Sequence, residues 1–507
     1  MRLFIFALTV LSFYTFHSAW GKGKNAANPY DFNPQIRQAY RATLSLRFKQ
    51  ARALLATEHA AHPNNLAADY VDNYIDILTV LIDEDETEYE RLAPNRDQRL
   101  ERIRALGNHD SPYYRYLQAQ IKIQWAAAKA KFDDYVSGVN TALEVKKAYS
   151  LLSENERLYP AFIANKQSLG MLHAAIGTIP DEYRWGANLF GMSGSIARGQ
   201  HEVEEVLAYA KRNDFFFEEE TVVMYAFLLL NLSNEGESAW NAIRSSRFDP
   251  NTNPLAAFVQ ANVALHTGRT DEAIALLVHA PQGKEFYPFP QLDYTTGFAK
   301  LYHLDSDAKV YLERYVRTFR GRHYVKDAYM RLAWDALLHN DLEGYRRNIA
   351  LCKLRGFAMS DSDKMALKNA KSGETPNVSL LRARLLFDGS YLDRANEELR
   401  RIAPASLTRP QDKLEYVYRL GRVAHKQGNF ARAVEYYTQT VTQGQASPYY
   451  FAANAALQLG LLYEAAGSNH NSTKARQYFE LCLSLNPADY KESLHQKAKA
   501  GLNRLKK

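Results

Sequence analysis

Apolar residues recur at i, i+3, i+4 and i+7 almost from end to end of the chain, and strict apolar–polar alternation is scarce. That pattern predicts helices throughout and an all-α fold. Turn signals return about every 30 to 40 residues, the spacing of an array of helical hairpins. The regularity is greatest between Leu414 and Pro487. Val417, Leu420, Gly421 and Ala424 mark one helix face, Gly428 and Phe430 a turn, and Ala433 and Tyr437 the returning helix. Leu459, Gly460, Tyr463, Ala475, Phe479 and Cys482 repeat the scheme, and Pro487 closes it. Glycines suit close helix crossings, small residues admit the return helix, and aromatics fill the groove between the two.

The two hairpins resemble the tetratricopeptide repeat. The resemblance implies a right-handed α-solenoid of antiparallel helix hairpins, about a dozen in all and many degenerate, that binds partners rather than transforming them. Weaker echoes appear at Phe48, Ala51, Leu55 and Pro63, at Gly268, Ala273, Leu277 and Ala280, and at Gly389, Tyr391, Ala395 and Leu399. Ser111–Lys131, Thr221–Phe248 and Asp305–Arg355 read as helical but lack most consensus positions. Tyr287-Pro288-Phe289-Pro290 is a rigid connection, because each proline biases the residue before it away from helix. Ser372–Asn377 is the clearest loop. A boundary there separates a divergent body, residues 22–371, from a more regular C-terminal module, residues 372–507.

Between Gly170 and Gly199, the glycines at 170, 191, 194 and 199 together with Pro180 form a spaced pattern. It resembles the eukaryotic inclusion-body-clearance family of tetratricopeptide proteins, with Met192 in place of that family's phenylalanine and Ser193 retained. The resemblance implies a repeat protein that acts through partners. The residues themselves read as a helix started at Pro180, a tight glycine connection, and a cap for the next helix at Ser193 or Ser195. No Gly-Lys-Ser/Thr follows, so a phosphate loop is not expected.

The balance of 63 basic against 56 acidic residues gives a net charge of +7. Over 507 residues that excess is dilute, and no basic cluster with interleaved aromatics predicts nucleic-acid binding. The N-terminus carries Arg2, an uncharged apolar run from Leu3 to Phe16, and Ala19-Trp20-Gly21. That is the pattern of a secretory signal peptide, residues 1–21, cleaved before Lys22. No cysteine stands near the cut for a lipid anchor, and no apolar stretch, Val222–Leu232 included, is long enough to span a bilayer. The expectation is an exported protein, periplasmic or secreted. Cys352 and Cys482 read as buried thiols.

Candidate chemistry is sparse. His59 and His62 lie nearly one helical turn apart at a helix end, which suits capping better than a metal lacking a third ligand. His201 with Glu202, Glu204 and Glu205 reads as an exposed helix start. The acidic run Asp83–Glu90 and the arginines from Arg91 to Arg104 read as a solvated face. No HExxH, GxSxG or P-loop is present, so no catalytic residue, cofactor or metal is expected. The favoured site is a helix face for an extended peptide: Tyr418, Arg419, Arg422 and His425 on one hairpin, Asn454 and Gln458 on the next. The 33 tyrosines, clustered at Tyr113, Tyr114 and Tyr116, at Tyr436 and Tyr437 and at Tyr449 and Tyr450, keep open an alternative, a glycan-binding protein of a nutrient-uptake system. A hydrolase built in a cleft of the array is a third reading.

Overall fold

The computed structural model describes residues 28–132, 138–179, 184–186 and 190–505. The signal-peptide positions and Pro180 lie outside them. Among the described residues every regular element is helical, and each helix packs on its neighbours in an all-α solenoid. The helices begin where the sequence supplies caps. Asn33, Asn65, Asp85, Ser111, Ser195, Asn253, Asn377, Asn429 and Ser468 each accept a hydrogen bond from a first-turn backbone N–H. Pro34, Pro112, Pro254 and Pro410 occupy first helical positions, where a missing N–H costs nothing.

The hairpin turns share one construction that the residue types conceal. Leu46, Gly268, Leu304, Asn340, Ser390 and Gly428 all take positive φ, between 58° and 79°. In each case the next residue's N–H reaches back five positions: Arg47 to Ala42, Arg269 to Ala264, Asp305 to Lys300, Asp341 to Ala336, Tyr391 to Leu386 and Asn429 to Ala424. The left-handed residue itself donates to the carbonyl three positions back, as Gly428 does to His425. These are Schellman closures, which satisfy the last helix carbonyls. Only two of these sites carry glycine, which is why Asp305–Arg355 looks divergent in sequence although it turns in the same way.

Two units interleave along the chain. The first holds residues up to Ala299 together with Val310–Met330 and Leu351–Lys368; the second holds Lys300–Lys309, Arg331–Ala350 and Asn369–Lys507. In the first, the end of the Leu66–Asp83 helix is a tie point for distant segments. Tyr287 donates to Asp83 (2.5 Å), Gln291 to the Ile82 carbonyl (2.7 Å), and the His323 backbone N–H to Glu84 (3.0 Å). Glu84 is buried and also holds Lys131 at 2.6 Å and His323 Nδ1 at 2.7 Å. Burial pushes its carboxyl up, but Lys131 and His323 outweigh that and hold it at about 2. The arginine run corrects the solvated-face reading in part. Arg99 is buried and reaches Asp72 (3.1 Å) and Asp76 (2.8 Å) on the preceding helix, and Arg102 reaches Asp69 (3.0 Å).

Between Gly170 and Gly199 the Ala164–Gly177 and Ile196–Ala210 helices cross at the glycines themselves. A Cβ on Gly199 would lie 2.2 Å from the Gly170 carbonyl oxygen. Ser195 is the cap, and Gly191 has φ +70°. Glu202 is not on an exposed helix start: it is buried, 2.5 Å from His173 Nδ1, and Arg198 joins it at 2.9 Å. His201 is exposed and pairs with Glu205 at 3.1 Å. The apolar run at Val222–Leu232 is broken by a π-helical turn at Leu229–Ser233, and among the described residues no helix is long and apolar enough to cross a membrane.

In the second unit the two regular hairpins pack as their spacing predicts. A Cβ on Gly421 would stand 2.8 Å from the Tyr437 ring, and one on Gly460 2.5 Å from Phe479. Cys482 in this unit and Cys352 in the first are both free, buried thiols, and burial pushes them up to about 11 and about 12.

Candidate functional site

The first helices of successive hairpins in the second unit, Val378–Asp388, Pro410–Lys426 and Phe451–Ala465, lie side by side. Their residues place the candidate side chains in two depths. Tyr418 is interior, 1% exposed, with its ring against Tyr437, Tyr450 and Phe451 at 5.2 to 6.4 Å. Arg419 is 5% exposed and bound to Glu415 through two nitrogens at 2.8 and 3.0 Å. Burial pulls its pKa down, yet Glu415 and Tyr450 outweigh that and raise it. These two residues therefore correct the expectation that they stand on an open face: at this crossing the helix is packed over more of its circumference than a 3.6-residue stripe suggests. Both act as supports beneath the surface.

Arg422 and His425 are half-exposed and stand above them. Arg422 donates to the Tyr418 hydroxyl at 2.9 Å and lies over the Phe387 ring, 5.0 Å from its centre. His425 Nδ1 is 3.2 Å from the Tyr437 hydroxyl. Burial lowers the His425 pKa, helped by the neighbouring charges of Arg422 and Lys426, so the ring is neutral at neutral pH. Asn454 and Gln458 form a separate half-buried pair on the next first helix, bonded to each other at 3.2 Å. Four of the six predicted residues are thus gathered into one cluster, and two make their own contact nearby in sequence register.

Sequence reasoning missed the device that organises this face. Arg331, Arg384 and Arg422 lie over Tyr302, Trp334 and Phe387, at 5.4, 5.0 and 5.0 Å. Each arginine stacks on an aromatic of the preceding first helix, and the next aromatic stands three residues after it: Trp334, Phe387 and His425. The arginine-x-x-aromatic spacing was legible at Arg331, Arg384 and Arg422; only the stacking partner, 29 to 50 residues away, was not. Cation–π contacts of this kind fix a guanidinium without a counter-charge.

The first unit offers different features. An open cleft of about 710 Å³ is lined by Phe48, Tyr287, Phe289 and Lys49, and its Asp293 is taken up by Arg314. His62 pairs with the buried Glu58 at 3.1 Å, beside the Asn33 and Asn65 amides that also bond that carboxylate. Among the described residues no group of three His, Cys, Asp or Glu converges as metal ligands would. Of the clustered tyrosines, Tyr113, Tyr116 and Tyr437 are buried, and Tyr114, Tyr436, Tyr449 and Tyr450 are partly so.

Fold and site together define a solenoid of helical hairpins whose first helices form a side-chain-rich face. Such all-helical arrays typically mediate protein interactions and are typically non-catalytic. Residues 414–442 match the family described as Tetratricopeptide repeat, and they are the hairpin that carries Tyr418, Arg422 and His425. No curated protein matches the chain.

Proposed function

We propose that this protein is an exported scaffold that binds a protein or peptide partner on the first-helix face of its C-terminal module, with no catalysis of its own. The observation that carries the reading is the tetratricopeptide match at 414–442, on the hairpin whose Arg422 and His425 reach the surface. Peptides on such faces are held by amides that fix the backbone and by cations and aromatics that fix side chains. Asn454 and Gln458 supply the first, and Arg422 the second. Export rests on the Arg2, Leu3–Phe16 and Ala19-Trp20-Gly21 pattern, and a mature N-terminus at Lys22 is its direct readout. The Gly170–Gly199 similarity to the inclusion-body-clearance family fits a protein acting through partners, and that family's intracellular role is no part of the proposal.

The test is in-cell crosslinking and purification of the full chain beside an Asn454→Arg/Gln458→Arg variant. Partners recovered with the native chain should be lost from the variant while its helical circular dichroism is unchanged. Equal recovery from both would remove this face from the function.

A further inference from the structure

The arginine ladder of the second unit changes at its last rung. Asp335 stands four residues after Arg331 and Asp388 four after Arg384, one helical turn along the same face. Arg384 Nε is 3.7 Å from Asp388. Four residues after Arg422 the sequence has Lys426, and that side chain is exposed. Among the described residues Arg422 makes no ion pair within 4.0 Å; its contacts there are the Tyr418 hydroxyl and the faces of Phe387 and Tyr418. Its neighbour Arg419 is already bound by Glu415. Asp393, near the turn, is engaged by Gln427 at 2.8 Å. The next first helix has Leu461 in the register of Arg422, counting from Gly421 and Gly460, where the ladder would otherwise carry its next arginine.

We infer that Arg422 is an acceptor site for one carboxylate of the partner, the side chain of a glutamate or aspartate in an extended acidic segment. This deepens the scaffold reading and rests on it. The chemistry follows from the rung's composition. A guanidinium placed over aromatic rings, with Nη1 given to the Tyr418 hydroxyl, still has further N–H donors on its fork to pair with a carboxylate. Half-burial beside Phe387 strengthens that pairing relative to open water. Lys426 adds a second positive charge and removes the internal acid that occupies the preceding rung. Tyr418 and Arg419 supply rigidity from beneath, so little order has to be imposed on binding.

The experiment uses the full chain, labelled at histidine ring carbons, and follows the His425 resonance, assigned with His425→Gln. Three probes are titrated: an N-acetylated, C-amidated Ala-Ala-Glu-Ala-Ala peptide, its glutamine twin, and the glutamine twin with a free C-terminus. The glutamate peptide should shift the resonance, the other two should not, and 0.5 M salt should weaken the effect severalfold. Lys426→Asp, an exposed change that restores the acid of the earlier rungs, should weaken binding at least tenfold. A glutamine twin that binds as well, a free C-terminus that binds as well, or a Lys426→Asp chain of undiminished affinity would each overturn the inference. If the Asn454→Arg/Gln458→Arg variant loses partners while Lys426→Asp retains them, the scaffold reading stands and this one falls.

Discussion

Alanine at Gly428 should destabilise the second unit, while glycine at Ser390 should stabilise it, although both sites close the same kind of turn. Gly428 has φ +76° and Ser390 φ +64°, and each is followed by an N–H that bonds five residues back. A Cβ on Gly428 would meet nothing within 4 Å, so packing plays no part and the cost is one of backbone alone. A left-handed non-glycine residue costs about 1–2 kcal/mol. Alanine recovers about 0.4–1 kcal/mol of that by restricting the unfolded chain. The net loss for Gly428→Ala is therefore about 1 kcal/mol. Ser390 is exposed, so Ser390→Gly runs the same cycle backwards and should gain about 0.5–1 kcal/mol. With a urea m-value of about 1–3 kcal/mol/M, the midpoints should move by roughly 0.3–1 M in opposite directions. Urea titration followed by circular dichroism measures both. Shifts of the same sign, or a neutral Gly428→Ala, would refute the claim that these two turns share one closure.

Three further outcomes follow from the geometry. Glu84, held at about 2 in the fold against about 4.5 unfolded, contributes stability that is complete above pH 4.5 and lost as pH falls towards 2. That contribution is on the order of 3 kcal/mol, so Glu84→Gln should flatten the acid side of the stability profile, and an unchanged profile between pH 5 and 3 would contradict it. Gly199→Ala should cost about 1–3 kcal/mol, because its Cβ meets the Gly170 carbonyl and backbone cannot move aside; thermal unfolding reads this, and a wild-type midpoint would disprove the close crossing. The Cys352 and Cys482 thiols, pushed up to about 12 and about 11, should be unreactive to iodoacetamide at pH 8 in the native protein and both react in denaturant. Rapid labelling of either in the folded state would contradict its burial.

Much of the fold was legible because helix periodicity is a local property. Gly421 and Gly460 announced close crossings, and Tyr437 and Phe479 fill them. The Asp305–Arg355 hairpins were less legible because their turns place leucine, at 304, and asparagine, at 340, where the consensus has glycine. A residue type gives only a preference for φ > 0, and neighbouring packing can impose that conformation on others. Of the candidate residues, Arg422 and His425 reach the surface as the spacing indicated, but Tyr418 and Arg419, assigned to the same face, are buried. Their burial depends on Tyr450 and Phe451, which sit on another helix.

The sequence by itself determined an all-helical chain of hairpins, the caps that start many of its helices, and the tetratricopeptide-like hairpin at 414–442. Those follow from periodicities and turn chemistry that span a few residues. The tertiary structure alone decided which arginines stack on which aromatics, that Glu202 and Arg99 face inward, and that Arg422 lacks the acid its predecessor on the ladder has within reach. Those depend on the register between helices tens of residues apart, and burial on that scale sets whether a charge is solvated, paired or left open for a ligand.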